Sequence, residues 1–218
     1  MGIFFDKHAP KTFDDLVFPD TEMAARFEAY VKGQSFGHIL MHGPHGCGKT
    51  TIARMLPHAI APGHDPNDNY FMYAARDASV ARIRELSESF MCGTAWNASG
   101  RLFLTLDEAD TMSAETRTVM RGGLDQNAKS LMVIMTSNDL SKIDLGIRDR
   151  CDVFDFSGGN FTTYLPLALR VLRKEGLHVP QDELDDLVKL HCSSIRQLLR
   201  ALERVVLGIR KKRWQIAA

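Results

Sequence analysis

Three groups of residues in this sequence have the types and spacing to do chemistry on a phosphate. The first is Gly43-Pro44-His45-Gly46-Cys47-Gly48-Lys49-Thr50, which matches the pattern G-x-x-x-x-G-K-[ST] at every position. Its glycines let the backbone curl so that successive N–H groups point at one anion. A helix starting near Lys49 adds the positive end of its dipole. Lys49 can reach the β- and γ-phosphates of a nucleotide, the Thr50 hydroxyl can ligate Mg²⁺, and Thr51 closes the phosphate-binding run. The second group is Asp107-Glu108, at the end of an apolar stretch. Asp107 stands where a magnesium-organising acid is needed, and Glu108 is placed to polarise an attacking water. The third is Asn138, an amide after a second apolar stretch, suited to the γ-phosphate or that water. Arg148 and Arg150, in Ile147-Arg148-Asp149-Arg150-Cys151, either solvate a helix end or reach a neighbouring subunit's γ-phosphate as an arginine finger. Together these residues imply a chain that binds a nucleoside triphosphate with Mg²⁺ and can hydrolyse it.

Such residues must be held by strands and helices, and the hydrophobic pattern supplies them. Apolar runs at 39–41, 70–74, 102–106, 131–135 and 153–156 read as strands. Helical periodicity falls between them: about 22–32, from Lys49 until an expected end or kink near Pro57, from Asp77 to about Phe90, from Ser113, and at 142–149. The pair Gly122-Gly123 predicts a weakened or broken helix after Ser113. Residues 1–20 are expected to be extended and turn-like, because Pro10 and Pro19 disfavour helix before them. Strands alternating with helices, with nearly all-apolar inner strands, predict an α/β fold with a five-stranded parallel sheet covered on both faces. After Ser157-Gly-Gly-Asn160 the pattern changes to three helices near 162–175, 181–191 and 193–212. The expected division is a phosphate-loop ATPase domain at 1–157 and a small three-helix lid domain at 158–218.

Composition narrows the setting. In 218 residues, 44% are hydrophobic and 25% charged, with no formal net charge, so any nucleic-acid contact needs a local patch. The four cysteines are widely spaced, with no C-x-x-C pair, which speaks against a zinc ribbon or disulfide framework. No run is long enough for a membrane span, and a cytoplasmic location is expected.

The order of these parts resembles the AAA+ ATPases. More closely, it is similar to the small ATPase subunits of sliding-clamp loaders of the replication factor C type, cellular or viral; a viral member would work in the host cytoplasm. The N-terminal Lys7-His-Ala-Pro10-Lys-Thr-Phe13-Asp14-Asp15-Leu-Val17 resembles that family's adenine-side segment, although Ala9 and His8 replace its arginine and tyrosine. The resemblance implies ATP as the nucleotide, with Val17 and Phe18 against the adenine and Asn138 as the sensor-1 amide. Asp149-Arg150-Cys151 stands in for the family's serine-arginine-cysteine finger, making Arg150 the trans-acting arginine. Ser193-Ser194-Ile195-Arg196 resembles the sensor-2 motif, with Arg196 reaching the γ-phosphate. Family members carry a helical collar after the lid, and this chain stops where a collar would begin.

The resemblance also implies partners: other AAA+ subunits, DNA and a sliding clamp. Arg76, Ser79 and Arg82 after the second strand, and Arg117 and Arg121 after the acid strand, are the candidate DNA contacts. Two other readings fit the same residues. One is a different AAA+ DNA-transaction factor, such as a helicase loader or filament regulator. The other is an ATP-binding switch without significant turnover.

Overall fold

The computed structural model describes residues 3–63, 69–72, 79–81, 85, 97, 99–126 and 129–216. The chain divides into two compact units: Glu22–Gly43 with Lys49–Phe156, and Met1–Thr21 with Pro44–Gly48 and Ser157–Ala218.

The first unit is built on five parallel strands: β1 (His38–His42), β2 (Asn69–Met72), β3 (Leu102–Leu106), β4 (Leu131–Ser137) and β5 (Cys151–Asp155). Their order across the sheet is β2-β3-β4-β1-β5. The three central strands are wholly apolar or nearly so because both faces of the sheet are covered. Residues alternate between the two faces. Leu40, Leu104 and Val133 join one core with Met120 and Leu124 of helix α4 (Ala114–Gln126) and with Ile143 and Ile147. Ile39, Phe103 and Ile134 are buried on the other face. In α2 (Thr21–Val31), Phe27 is fully buried and stacks 4.3 Å from Phe154.

Two helices in this unit run through residues that disfavour helix. Helix α3 (Lys49–Ile60) continues past Pro57, with the Ala61 N–H bonded to the Pro57 carbonyl at 2.9 Å. Proline removes one hydrogen bond here, and the buried Leu56 and Ala53 hold the turn in place. Helix α4 runs unbroken through Gly122 and Gly123. The buried Met120 and Leu124 flank the pair, and the Ser113 hydroxyl caps the helix by accepting the Thr116 N–H. Core burial thus outweighs a cost of about 1 kcal/mol per glycine. The short helix expected at 142–149 is a 3-10 turn at Leu140–Lys142 followed by α5 (Leu145–Arg148). The helix expected from Asp77 to Phe90 lies largely outside the described residues.

The second unit holds α6 (Phe161–Glu175), α7 (Gln181–His191) and α8 (Ile195–Ile216), close to the three expected helices. Asn160 caps α6 by accepting the Thr163 N–H, and Gly176 ends it at φ 66°. Their shared core is Tyr164, Leu167, Val171, Leu184, Val188, Leu198 and Leu202.

The N-terminus departs from expectation. Residues Ile3–His8 form a helix, α1, whose Phe4 and Phe5 pack onto that core together with Val17. Glu175 receives Lys7 at 2.7 Å and His8 at 2.6 Å, and Arg170 bonds Asp15 at 3.1 Å. The Lys7 ammonium, with His8 beside it, holds the Glu175 carboxyl below the usual carboxylate range. Such long-range contacts are invisible to local pattern, and they make a six-residue helix worthwhile. Among the described residues, no helix is long and apolar enough to cross a membrane.

Candidate nucleotide site

The sheet order explains how distant residues meet. Strands β3, β4 and β1 are neighbours, and being parallel they end on the same edge. Ligands of open parallel sheets bind at that edge. Asp107 follows β3, Asn138 follows β4 and Gly43 follows β1.

Lys49 is only 6% exposed, and its ammonium donates to the Gly43 carbonyl at 2.7 Å and to Asn138 Oδ1 at 3.2 Å. A charge so nearly buried requires acceptors, and these orient it. Thr50 donates its hydroxyl to Asp107 Oδ1 at 2.8 Å. Thr136 donates to the same carboxylate oxygen. The Thr136 hydroxyl in turn accepts the Glu108 N–H at 3.0 Å. Asp110 accepts the Asn138 N–H at 3.2 Å. The candidates Lys49 and Asn138 form one hydrogen-bonded set, and Thr50, Asp107 and Glu108, joined through Thr136, form a second at the same sheet edge within the first unit.

Glu108 has φ 55° and ψ 49°, the one non-glycine with positive φ among the described residues. A left-handed glutamate costs of order 1 kcal/mol or more and persists only where its surroundings hold it. Here its N–H is bonded to Thr136, and its carbonyl accepts from the Thr111 N–H at 2.9 Å and the Thr111 hydroxyl at 2.7 Å. The residue expected to act on water is thus the one whose backbone is forced.

The middle of the phosphate loop belongs to the second unit. Gly46 and Gly48 have φ 81° and 100°, a region closed to most side chains. A Cβ at Gly46 would meet Ser194 Oγ at 2.6 Å and Arg196 Cβ at 2.9 Å. The Arg196 N–H donates to the Gly46 carbonyl at 3.1 Å, so the start of α8 rests on the loop. Ser194, 5% exposed, lies 3.4 Å from the carbonyls of His45 and Gly46. Arg196 is exposed. The buried Cys47 thiol donates to the Pro44 carbonyl at 3.0 Å. Also in this unit, Val17 packs in the helical core, and the Phe18 ring stands 5.8 Å from that of Phe13.

Other candidates fall elsewhere. Arg150 precedes β5 and bonds Asp125 at 2.7 Å and the Gly146 carbonyl at 2.6 Å, outside the Lys49 group. Arg117 donates to the Lys142 carbonyl at 2.7 Å, and Arg121 stands 3.5 Å from Asp144. Ser79 is exposed, and Arg76 and Arg82 lie outside the described residues. Sequence reasoning missed Thr136, Asp110, Asp125 and Ser194. For Thr136 the signal was a hydroxyl in an otherwise apolar strand; the other three look like ordinary surface residues.

Oxygen donors with one carboxylate suit Mg²⁺, which keeps several waters and takes the remaining ligands from substrate phosphates. The Thr50 hydroxyl and the Asp107 carboxylate, already in contact, fit that ion.

A phosphate loop, an acid-ended strand and a polar strand end on a parallel sheet define a nucleotide-binding P-loop protein. The family model for AAA, the ATPase family associated with various cellular activities, matches residues 39–158, over half of the 218, and the chain belongs to that family. Within it, the chain is similar to replication factor C small subunits. It is 28% identical over 202 residues to that of Archaeoglobus fulgidus, covering 92% of this chain and 63% of the relative. It is 26% identical over 200 residues to small subunit 1 of Pyrobaculum arsenaticum, covering 92% and 60%. The chain thus spans about three-fifths of the length of these relatives. Its fold is shared with the RuvB Holliday junction branch migration motor of Thermotoga maritima, at TM-score 0.70 and 14% identity, over 94% of this chain and 68% of that one.

Proposed function

We propose that this protein is a replication ATPase of clamp-loader type: it hydrolyses ATP and assembles with other AAA+ subunits on DNA. The observation that carries the reading is the convergence at one sheet edge of two hydrogen-bonded sets, Lys49 with Asn138 and Thr50 with Asp107 and, through Thr136, Glu108. Its replication role rests on similarity to replication factor C small subunits over 92% of the chain.

Backbone N–H groups of residues 43–48 cradle the phosphates, and Lys49 carries positive charge to the β- and γ-phosphates. Thr50 and Asp107 hold Mg²⁺, which when bound neutralises charge on those phosphates. Glu108 orients a water for in-line attack and accepts its proton. Asn138 shares its amide oxygen with Lys49 and turns its N–H₂ toward water or phosphate. Arg196 adds a positive charge beside the loop. Val17 and Phe18 face the adenine. Arg150 acts in trans on the phosphate of a neighbouring subunit. DNA contact through Arg76, Ser79, Arg82, Arg117 and Arg121, and a sliding clamp as partner, belong to the same proposal.

The test is ATP turnover against protein concentration, with and without primed DNA, for wild type, Glu108→Gln and Arg150→Ala. Turnover should rise steeply with concentration, increase with DNA and collapse in both variants. Turnover per chain that ignores concentration, DNA and Arg150 would leave a solitary ATPase. Binding without turnover would leave a switch.

A further inference from the structure

Helix α4 spends one face on the segment that carries Arg150. Arg117, Arg121 and Asp125 are spaced four residues apart and so share that face. Each finds its partner in 142–150: Arg117 the Lys142 carbonyl, Arg121 the Asp144 carboxylate, Asp125 the Arg150 guanidinium. The same helix begins, through Ser113, a few residues after Asp110, which bonds the backbone of Asn138.

The last of these contacts is the most specific. Arg150 uses Nε toward Asp125 at 2.7 Å and Nη1 toward the Gly146 carbonyl at 2.6 Å. Two bonds to two different elements fix both the position and the plane of a guanidinium, whose donors form a rigid fork. They leave the Nη2 amino group for an outside acceptor. Asp125 and Arg150 are both substantially exposed, at 57% and 36%, where an ion pair contributes little to folding. Its consequence is orientation.

We propose that Asp125 is a positioning residue for Arg150, holding the guanidinium with Nη2 outward so that an assembled neighbour receives it already aimed. The inference rests on reading Arg150 as the trans-acting arginine, and it assigns the residue that presents it. Pre-aiming removes the entropy of immobilising a long side chain at the moment of reaction.

The experiment compares Asp125→Ala, Arg150→Ala and the double variant at protein concentrations where wild type is assembled. Asp125→Ala should lower kcat about 10- to 100-fold, with KM for ATP within about two-fold, because the misaimed group acts on the transition state. The double variant should be no slower than Arg150→Ala alone, as expected of residues acting as a unit. Asp125→Asn, which keeps an acceptor, should fall between wild type and Asp125→Ala. Titrating Glu108→Gln chains, dead in their own site but with intact Arg150, into Asp125→Ala should raise turnover per Asp125→Ala chain. A merely structural defect would not be rescued in this way.

Wild-type turnover in Asp125→Ala beside a collapsed Arg150→Ala overturns the proposal and leaves the finger reading standing. Wild-type turnover in Arg150→Ala overturns both. Increased turnover in Asp125→Ala, meaning that Asp125 restrains the arginine, overturns the proposal, as does a defect that Glu108→Gln chains do not relieve.

Discussion

Thr136, at the end of β4, donates its hydroxyl to the Asp107 carboxylate oxygen that also accepts from Thr50, and the same hydroxyl accepts the Glu108 N–H. One buried side chain thereby orients the acid proposed to hold Mg²⁺ and fixes the backbone of the residue proposed to act on water. Supporting residues of this kind are worth about 10- to 100-fold in metal affinity or activity. Thr136→Val should raise the Mg²⁺ concentration needed for half-maximal ATP turnover by about 10-fold or more, while Thr136→Ser stays near wild type. Equal Mg²⁺ dependence in all three proteins would mean that Asp107 needs no such support.

Thr105 is the opposite case. It lies in β3 at 0% exposure, and its hydroxyl has no hydrogen-bond partner among the described residues. A buried, unpaired hydroxyl costs free energy, and a methyl of the same shape does not. Thr105→Val should stabilise the protein by about 1 kcal/mol, raising Tm by about 2–4 °C. Nucleotide turnover should be unchanged. A lower Tm would show that the hydroxyl is satisfied in solution.

His38 ties three elements together. Its Nδ1 accepts the Val133 N–H at 3.1 Å, and its Nε2 donates to the Leu124 carbonyl at 3.1 Å. Only the neutral ring can do both, because protonation would set a second N–H against that of Val133. Burial holds the His38 imidazole below its ordinary pKa; the Leu124 carbonyl pulls upward, Arg101 downward and Asp125 upward, each less strongly. A folded pKa below the unfolded value of about 6.5 means that the unfolded chain takes the proton first. The stability from neutral His38 is therefore complete above about pH 6.5 and is lost as pH falls below it. Tm should drop between about pH 6.5 and 5 more steeply in wild type than in His38→Gln. His42, also held low by burial, adds a slope of the same sign to both proteins. Parallel curves would remove His38 as the cause.

Much of this protein was legible as sequence because its signals are local. The run Gly43–Thr50 needs φ values that glycine alone adopts readily, and Gly46 and Gly48 adopt them. Apolar strands with acid or amide ends led to β3 with Asp107 and β4 with Asn138. The three C-terminal helices followed from periodicity, with Asn160 and Gly176 marking the ends of α6. What the tertiary structure decided is what long-range contact decides. Local chemistry predicts an extended N-terminus and a weakened or broken α4, yet burial of Phe4 and Phe5 makes one a helix and burial of Met120 and Leu124 keeps the other continuous. The left-handed Glu108, the support of Asp107 by Thr136 and the pairing of Asp125 with Arg150 join residues up to 29 positions apart. No spacing rule encodes those pairs. They arise because parallel neighbours β3 and β4 end together, and because a helix stripe with a four-residue repeat lies against the turn before β5.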